Sequence, residues 1–281
     1  MNKKLLTLAL ALALCLSLAA CGGKKEEAET PAETPSETPA ETVTLNVAAS
    51  PTPHAEILNQ VKDILAEQGI DLQVHEYGDY VVPNTAVEEG EEDANYFQHI
   101  PYMENFNAEN GTHIVSVAKI HYEPMGIYAG KCTKLEDLSD GAVIAIPNDA
   151  TNEARALLLL EAQGLIKLDP DAGLAATPND ITENPKNLSF KELEAAMLPN
   201  TITEVDLSVI NSNYALQAGF NPTKDALAIE SADGTPYPNV LCVKEGREND
   251  PAIQALVKAL QSDAVRDYIN ETYGGAVVPL F

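Results

Sequence analysis

The sequence predicts an α/β fold for the part of the chain that begins at Val43, on three observations. Residues 44–48 are apolar enough for a short strand, the apolar residues within 57–65 recur at helical spacing, and residues 70–74 alternate as a second strand does. Gly69 supplies a stop between the helix and the second strand. Because a strand, a helix and a second strand form a crossover unit, we expect a sheet with mainly parallel strands.

The same alternation of strands and helices recurs in the rest of the chain. Residues 142–146 predict a buried strand, residues 152–163 a helix closed by a glycine, and residues 207–210 a strand that precedes another helix. The last third adds a strand and two amphipathic helices, at residues 239–243, 251–261 and 263–273. The folded part, about 240 residues, suffices for one large domain or for two lobes of about 100 to 130 residues.

The N-terminus has the pattern of a signal peptide. Two lysines precede an apolar run at residues 5–20, which is too short to span a bilayer comfortably. The sequence Leu-Ala-Ala-Cys at residues 18–21 resembles the bacterial lipobox, so we predict residues 1–20 as the signal and Cys21 as the lipid-modified residue. The alternatives are a membrane-spanning start and an ordinary secretory signal followed by a chance cysteine.

Residues 21–42 are predicted to be the lipidated cysteine and a disordered, acidic, proline-rich tether. After Cys21 this segment has no aliphatic residue larger than alanine, and it repeats Glu-Thr-Pro. Such a composition cannot bury enough apolar surface to offset its chain entropy. A tether of this kind lets a folded domain stand clear of the membrane that holds its acylated end.

The charge of the chain excludes one class of partner. The sequence has 17 basic and 43 acidic residues and a net charge of -26; without residues 1–20 it keeps 15 basic residues against the 43 acids, a net charge of -28. A surface this negative repels nucleic-acid phosphates, and it would not lie on anionic lipid without its acyl anchor.

The sequence lacks the common motifs of catalytic and metal-binding sites. Its five histidines include no His-x-x-x-His or His-Glu-x-x-His pair on a predicted helix. There is no Gly-x-Ser-x-Gly, Gly-x-x-x-x-Gly-Lys or Gly-x-Gly-x-x-Gly motif. We therefore predict no enzymatic activity, no cofactor and no metal, with an unrecognised lipoprotein enzyme as the remote alternative.

The cysteines predict no disulfide framework. Cys15 is lost with the signal and Cys21 is the predicted anchor, which leaves Cys132 and Cys242 in the folded part. A single bridge between these two is conceivable in an oxidising compartment, but two separate buried thiols are favoured.

Several segments, in this order and spacing, resemble the methionine-binding lipoproteins of the NlpA/MetQ family. They are residues 80–86 (YVVPNTA), 97–102 (FQHIPY), 147–157 (PNDATNEARAL), 183–188 (ENPKNL), 211–215 (NSNYA) and 275–278 (GAVV). The similarity covers nearly the whole folded part. It implies a bilobed periplasmic-binding-protein fold, in which two α/β lobes are joined by two crossovers and a ligand binds in the cleft between them.

The resemblance also gives expected boundaries and partners. With crossovers near Met125 and Tyr237, lobe 1 would comprise residues 43–125 and 237–281, and lobe 2 residues 126–236. The chain would be a monomeric receptor, anchored at the outer face of the cell membrane, that delivers methionine or a close relative to an ABC permease and its ATPase. The rival interpretations are a same-fold receptor for a methionine-containing dipeptide or another amino acid, and a surface adhesin.

Three polar residues are expected to bind the ends of an amino acid. A guanidinium offers a carboxylate two parallel donors, and the family pattern places the carboxylate-binding arginine at Arg155; the alternative is a surface arginine capped by local acids. The family pattern assigns Asn211 and Asn239 as acceptors for the ammonium group, although either could be a turn former. Asn211 follows a predicted strand, at the end where α/β sheets bind ligands.

The side chain of the ligand is expected to meet a largely aromatic wall. The resemblance assigns this wall to Tyr80, Phe97, His99 and Tyr102. A thioether gains about 0.3 to 1.5 kcal/mol from each contact with a ring. The alternative for each of these residues is an ordinary core position, and His99 could simply donate to a backbone carbonyl. Tyr122 and Glu123 are expected to line the cleft near a crossover.

Overall fold

A computed structural model of the chain describes residues 42–232 and 234–281. The predicted signal at residues 1–20, Cys21 and the tether up to residue 41 lie outside the described residues. No helix within the described ranges is long and apolar enough to cross a membrane.

The strands are numbered in chain order. Within the described ranges they are β1 (Val43–Ala49), β2 (Ile70–Glu76), β3 (Ala94–His99), β4 (Ile114–Tyr122), β5 (Gly126–Ala129), β6 (Val143–Pro147), β7 (Lys167–Leu168), β8 (Ile181–Glu183), β9 (Ser189–Leu193), β10 (Leu207–Ile210), β11 (Ala226–Ile229), β12 (Pro238–Lys244) and β13 (Val278–Pro279).

The α-helices are numbered in the same way. They are α1 (Glu56–Asn59), α2 (Lys62–Ala66), α3 (Val82–Glu89), α4 (Ile100–Asn110), α5 (Ala150–Ala162), α6 (Leu198–Thr201), α7 (Ser212–Gln217), α8 (Pro222–Asp225), α9 (Pro251–Leu260) and α10 (Asp263–Tyr273). A π-helical turn at Pro51–Ala55 and short 3-10 turns at Leu135–Asp137, Gly173–Ala175, Pro178–Asp180, Ala195–Met197 and Ile202–Glu204 complete the helical segments.

The strands form two main sheets. The six-stranded sheet has the order β13-β4-β12-β3-β1-β2, with β1 parallel to β2 and β3, and β12 antiparallel to β3 and β4. The five-stranded sheet has the order β11-β5-β10-β6-β9, with β6 parallel to β9 and β10, and β5 antiparallel to β10 and β11. Four strand pairings in these two sheets are parallel and five are antiparallel, so the prediction of mainly parallel strands is wrong: β5 and β12, which follow the two passages between the sheets, run antiparallel to their neighbours.

The chain passes between the main sheets twice. The first passage lies between the end of β4 at Tyr122 and the start of β5 at Gly126. The second lies between the end of β11 at Ile229 and the start of β12 at Pro238. All strands of the six-stranded sheet precede the first passage or follow the second, and all strands of the five-stranded sheet lie between the two.

Each sheet has its own apolar core. In the first core Val47 and Leu241 of the six-stranded sheet pack with Ile253 of α9, and all three are fully buried. In the second core Ile144 of the five-stranded sheet packs with Leu157 of α5. Helices α9 and α10 each bury an apolar face in the first core, as their amphipathic pattern predicts, whereas α5 is buried on nearly all sides.

The first predicted helix differs from the structure. The apolar pattern across residues 57–65 predicts one helix, whereas the structure has α1 and α2 with Val61 between them. The N–H groups of Gln60 and Val61 each bond to the carbonyl three residues earlier, at 3.1 Å. This tighter 3-10 step interrupts the α-helical hydrogen-bond ladder. Gly69, with φ of +75°, ends the segment as predicted.

Helix α5 begins two residues earlier than its pattern predicts, because Asp149 caps it. The Asp149 carboxylate accepts the backbone N–H of Asn152 at 3.0 Å. Asn152 and Arg155 are three residues apart and therefore lie on one face of the helix. The cap thus determines the position of two polar side chains used below.

The two cysteines of the folded part are both free thiols. Cys242 is buried in β12, and Cys132 is half-buried in the loop after β5. The separate thiols agree with the favoured prediction, although only one of them is fully buried.

Candidate ligand-binding site

A small cavity of about 20 Å³ lies between the two main sheets and is lined mainly by polar and aromatic side chains. This volume is little more than the room that one water molecule needs, so the lining side chains are closely packed in this arrangement. The lining residues are Tyr80, Phe97, Gln98, His99, Tyr102, Glu123, Asn152, Arg155, Asn211, Ser212, Asn213 and Asn239. The structure thus brings together all seven residues that the sequence assigned to ligand binding. Their roles toward a ligand stay predictions.

Arg155 is buried, with 3% of its surface exposed, and its guanidinium is held on two edges. Nε donates to Glu230 at 2.8 Å, and Nη2 donates to Glu230 at 2.6 Å and to the carbonyl of Glu123 at 2.7 Å. The ring of Tyr237 stacks against the guanidinium at 4.3 Å. Burial alone would lower the pKa of Arg155, but the nearby Glu230 carboxylate raises it. The surface-arginine alternative is therefore wrong.

The prediction that Arg155 presents two parallel donors to a ligand carboxylate also needs correction. Glu230 occupies the edge formed by Nε and Nη2, and no hydrogen bond to a described residue uses Nη1. In this arrangement Arg155 has its Nη1 amino group left for a group in the cavity. The remaining donors already hold the side chain in place.

His99 caps helix α4 and is electrically neutral. Its Nδ1 accepts the backbone N–H of Tyr102 at 3.1 Å, so Nε2 carries the proton and donates to Asn152 Oδ1 at 3.2 Å. Burial, and then the charge of Arg155, lower the pKa of His99 to about 3. The suggested donation from His99 to a backbone carbonyl is not what the structure shows, because the cap takes one ring nitrogen and Asn152 the other.

A chain of hydrogen bonds fixes the orientation of Asn211. The Asp149 carboxylate accepts from Asn152 Nδ2 at 2.9 Å, which turns Asn152 Oδ1 toward Asn211. Asn211 Nδ2 then donates to that oxygen at 2.8 Å. Its own Oδ1 is buried without a hydrogen-bond partner. A buried acceptor of this kind costs free energy until it is satisfied, so it is suited to a donor on a ligand.

Asn239 presents the opposite group to the one expected. His54 Nε2 lies 2.9 Å from Asn239 Oδ1 and 3.3 Å from Glu123 Oε1, two acceptors that favour a proton on this nitrogen. The oxygen of Asn239 is therefore used by His54, which leaves its Nδ2 for the cavity. The prediction that Asn239 supplies an acceptor oxygen is not met in this arrangement.

Behind Asn239 lies a buried cluster of His54, His121 and Glu123, whose residue types could bind a metal ion. His121 Nδ1 bonds to the hydroxyl of Tyr96, and His121 Nε2 lies 2.7 Å from Glu123 Oε1. Two ligands of one tetrahedral zinc ion, each about 2.0 to 2.1 Å from it, would be about 3.3 Å apart. The shorter separation is that of a hydrogen bond.

The charges of this cluster follow from its burial. Burial lowers the pKa of His54 to about 4 and that of His121 to about 3, and it raises the pKa of Glu123. Both histidines are therefore neutral at pH 7. Glu123 lines the cavity as expected, whereas Tyr122 does not, because its hydroxyl donates to Glu230 at 3.0 Å behind Arg155.

The opposite side of the cavity is aromatic. Tyr80 packs against Phe97 at 5.8 Å and against Tyr102 at 5.7 Å between ring centres. The hydroxyl of Tyr80 donates to Asn213 Oδ1 at 2.6 Å, and that of Tyr102 donates to the carbonyl of Tyr80 at 3.0 Å. Asn213 Nδ2 is buried without a partner. Both tyrosine hydroxyls are thus held by hydrogen bonds, and Asn213 beside them keeps one unsatisfied donor.

Glu153, on α5 beside the site, should make stability depend on pH. Burial, and then the charges of Glu192 and Asp149, raise its pKa from 4.5 to about 7. The free energy of unfolding therefore falls as pH rises from about 4.5 to 7, since the folded state must lose a proton that the unfolded state has already lost. We expect Glu153→Gln to raise the Tm at pH 8 by a few degrees, about 2 to 4 °C per kcal/mol, and by less at pH 5.

Thermal unfolding followed by circular dichroism at pH 5 and pH 8 checks this prediction. The matched control is Glu136→Gln, which neutralises an exposed glutamate elsewhere on the chain. An equal gain from Glu153→Gln at both pH values would contradict the prediction.

Comparison with known proteins agrees with this architecture. The model of the NlpA lipoprotein family matches residues 45–281. The chain belongs to the NlpA lipoprotein family. The family and the α/β fold class predicted from the sequence are thereby confirmed.

Three relatives in this family are informative. A methionine-binding lipoprotein, MetQ, of Bacillus subtilis is 41% identical over 99% of each chain. A D-methionine-binding lipoprotein, MetQ, of Salmonella typhimurium is 42% identical over 75% of this chain and 78% of its own. The structure of a nutrient-binding protein from Burkholderia cenocepacia bound to methionine has a TM-score of 0.81 and 43% identity, and the match covers 85% of this chain and 100% of that one.

Five cavity residues were not among the seven candidates: Gln98, Glu123, Asn152, Ser212 and Asn213. All except Glu123 lie inside the segments that carry the resemblance to the NlpA family. Their position in these segments was the one sign in the sequence that they could line the cavity. Glu230, Tyr237 and His54 stand behind the cavity. Nothing in their local sequence indicates that they contact Arg155 or Asn239.

Proposed function

We propose that this chain is the extracytoplasmic substrate-binding lipoprotein of an ABC importer and that it binds methionine in the cavity between the two sheets. The observation that carries the proposal is the distribution of unused polar groups. Arg155 Nη1 and the partnerless Asn211 Oδ1 lie on the polar side, and the aromatic wall lies opposite. A zwitterion with an apolar side chain fits this pattern.

Two lobes are part of the proposal. Lobe 1 comprises residues 43–125 and 237–281, and lobe 2 residues 126–236, with crossovers near Met125 and Tyr237. The division of strands between the two sheets supports these limits. Closure of the lobes over a ligand would exclude water and strengthen its polar contacts.

Each end of the ligand has a proposed partner. Its carboxylate meets Arg155 Nη1, and its ammonium meets Asn211 Oδ1. The thioether contacts the wall of Tyr80, Phe97 and Tyr102, since sulfur gains about 0.3 to 1.5 kcal/mol from each ring contact. The names of the relatives, which include methionine-binding proteins and a methionine-bound structure, support methionine as the ligand.

A methionine-containing dipeptide is less well supported. Such a ligand needs room beyond the asparagines that receive the ammonium. Asn152 bonds to Asn211 and His54 bonds to Asn239, and both Asn152 and His54 are only 1% exposed. Extension past the amino group would have to displace these side chains.

Enzymatic activity also finds little support at this site. Ser212 is the serine in the lining, and its hydroxyl donates to the carbonyl of Pro124 at 2.5 Å. His99 is neutral and committed to the α4 cap and to Asn152. Neither residue stands as a nucleophile beside a free base, which is the arrangement that covalent catalysis needs. We therefore propose a binding protein without catalytic activity.

The cellular setting follows from the same proposal. Cys21 would carry the lipid anchor, and the tether would hold a monomeric receptor at the outer face of the membrane. The permease and ATPase of a methionine importer would be its partners. The lipoprotein names of the relatives support the anchored setting.

Calorimetry tests the proposed function. The mature chain carrying Cys21→Ser is unfolded, refolded to remove retained ligand, and titrated with L-methionine, D-methionine and Gly-Met. We expect one-to-one binding of methionine and weaker or no binding of Gly-Met. If Gly-Met or another amino acid gives binding heat and neither methionine enantiomer does, that compound is the ligand in place of methionine. Chemical conversion of any titrated compound would support the enzyme alternative.

Tyr80 should control the length of the side chain that the site accepts. Tyr80 and Tyr102 separate the site from a wider cavity of about 480 Å³, which both residues also line. Tyr80→Ala removes this partition, so we expect methionine affinity to fall by roughly tenfold while that for S-butyl-L-homocysteine falls less or rises.

Competition calorimetry with both ligands measures the change in preference. Tyr80→Phe is the matched control, because it keeps the ring and loses only the hydrogen bond to Asn213. An unchanged ratio of the two affinities in Tyr80→Ala would show that Tyr80 does not limit ligand length.

A further inference from the structure

Glu230 lies directly after β11, at the start of the second passage between the sheets, and its side chain is 13% exposed. Its carboxylate accepts from Arg155 Nε at 2.8 Å and from Arg155 Nη2 at 2.6 Å. Oε2 also accepts the backbone N–H of Met125 at 2.8 Å and the hydroxyl of Tyr122 at 3.0 Å. It does not line the ligand cavity.

These contacts join three parts of the molecule. Tyr122 and Met125 belong to the first passage and Glu230 to the second, and the backbone N–H of Glu230 donates to the carbonyl of Met125 at 3.0 Å. Arg155 stands on α5 of the five-stranded part. One carboxylate therefore ties the cation of the site to both segments that connect the sheets.

We propose that Glu230 is a positioning residue for the carboxylate of the ligand: it holds Nε and Nη2 of Arg155 and so presents Nη1 to the cavity. The inference rests on the proposed function, because it assumes that Arg155 meets a carboxylate. It adds a residue that does not touch the ligand and that determines how the ligand is bound.

The geometry explains why positioning is needed. An arginine side chain has several rotatable bonds, and ordering it during binding would cost affinity. The stacking of Tyr237 fixes the plane of the guanidinium, but stacking alone permits rotation within that plane. The two bonds to Glu230 fix one edge and oppose this rotation, together with the bond from Nη2 to the Glu123 carbonyl. Nη1 is then already oriented when the ligand arrives.

A purely structural role for Glu230 makes a different prediction. If Glu230 only stabilised the two passages, its loss would weaken every ligand to the same extent. If it positions Arg155, its loss would weaken ligands that have a carboxylate and spare those that lack one. L-methionine and L-methioninol differ at this group, since the alcohol has CH2OH in place of the carboxylate.

The test measures both ligands by calorimetry on the mature chain carrying Cys21→Ser, with and without Glu230→Gln. We expect Glu230→Gln to weaken L-methionine binding about 10- to 100-fold and L-methioninol binding less than about threefold. In an Arg155→Ala background the same substitution should have little further effect on L-methionine. Asp93→Asn is the matched control. Asp93 forms an ion pair with Arg247, with 2.8 Å between Asp93 Oδ1 and Arg247 Nη1, and neither residue lines the cavity.

The outcomes separate the two proposals. Suppose that the unsubstituted site binds L-methionine. If Glu230→Gln then weakens the binding of both ligands equally, or weakens neither, the positioning role is overturned and the proposed function stays intact. No binding of L-methionine by the unsubstituted site would overturn the proposed function, and the inference with it. If Glu230→Gln does not fold, Glu230→Asp, which keeps the charge but shortens the reach, gives the same comparison.

Discussion

Replacement of Arg155 by alanine is expected to weaken methionine binding by several hundred-fold or more. Two effects act in the same direction. The ligand carboxylate loses its cation, and the carboxylate of Glu230 stays behind without a partner for its two strongest bonds. Breaking a buried ion pair by removing one member costs about 3 to 5 kcal/mol, which corresponds to a factor of hundreds to thousands.

The same substitution should destabilise the fold, and a second substitution separates the two consequences. Arg155→Ala combined with Glu230→Gln removes the unpaired charge, so we expect the Tm to recover in part while methionine binding stays lost. Calorimetry and thermal unfolding of the single and double variants measure both quantities. Methionine affinity within tenfold of the unsubstituted chain in Arg155→Ala would contradict the assigned role.

Replacement of Asn211 by alanine should give the second large effect. Asn211 Oδ1 is the partnerless acceptor on the polar side, and a hydrogen bond to a charged group contributes about 1.5 to 3 kcal/mol. We therefore expect methionine affinity to fall roughly 10- to 150-fold. The fold should tolerate the change, because Asn152 Oδ1 keeps its bond from His99 at 3.2 Å.

A ligand without an amino group provides the control for Asn211. Binding of 4-(methylthio)butanoate should be weak in the unsubstituted chain and nearly unchanged by Asn211→Ala, because this ligand has no ammonium to lose. Competition calorimetry can measure both affinities. Equal losses for methionine and for the amine-free acid would show that Asn211 acts through the shape of the site.

Local patterns explain which elements the sequence predicts well. The strand at residues 207–210 and the helix at residues 263–273 have the predicted bounds, since alternation and helical periodicity are properties of consecutive residues. The split between α1 and α2 was not predictable in this way. The apolar spacing across the break suits either one helix or two, and backbone hydrogen bonds made at Val61 decide between them.

The site shows the same limit at longer range. The motif segments place seven candidate residues at one cavity, but they do not reveal which atoms are free. Arg155 and Glu230 are 75 residues apart, and His54 and Asn239 are 185 apart. Such partners meet only in the folded chain. The contacts with Glu230 and His54 determine that Arg155 has one amino group, and Asn239 its side-chain nitrogen, left for a ligand in the cavity.

The order of strands in the six-stranded sheet has a consequence for how the protein is made. Strand β12 lies between β3 and β4, and β13, near the C-terminus, pairs with β4. A ribosome must therefore finish nearly the whole chain before this sheet can be completed, and its pairings between distant residues close slowly. A chain that must cross a membrane unfolded would gain from this delay, because its first half cannot reach its final structure while the second half is still being synthesised.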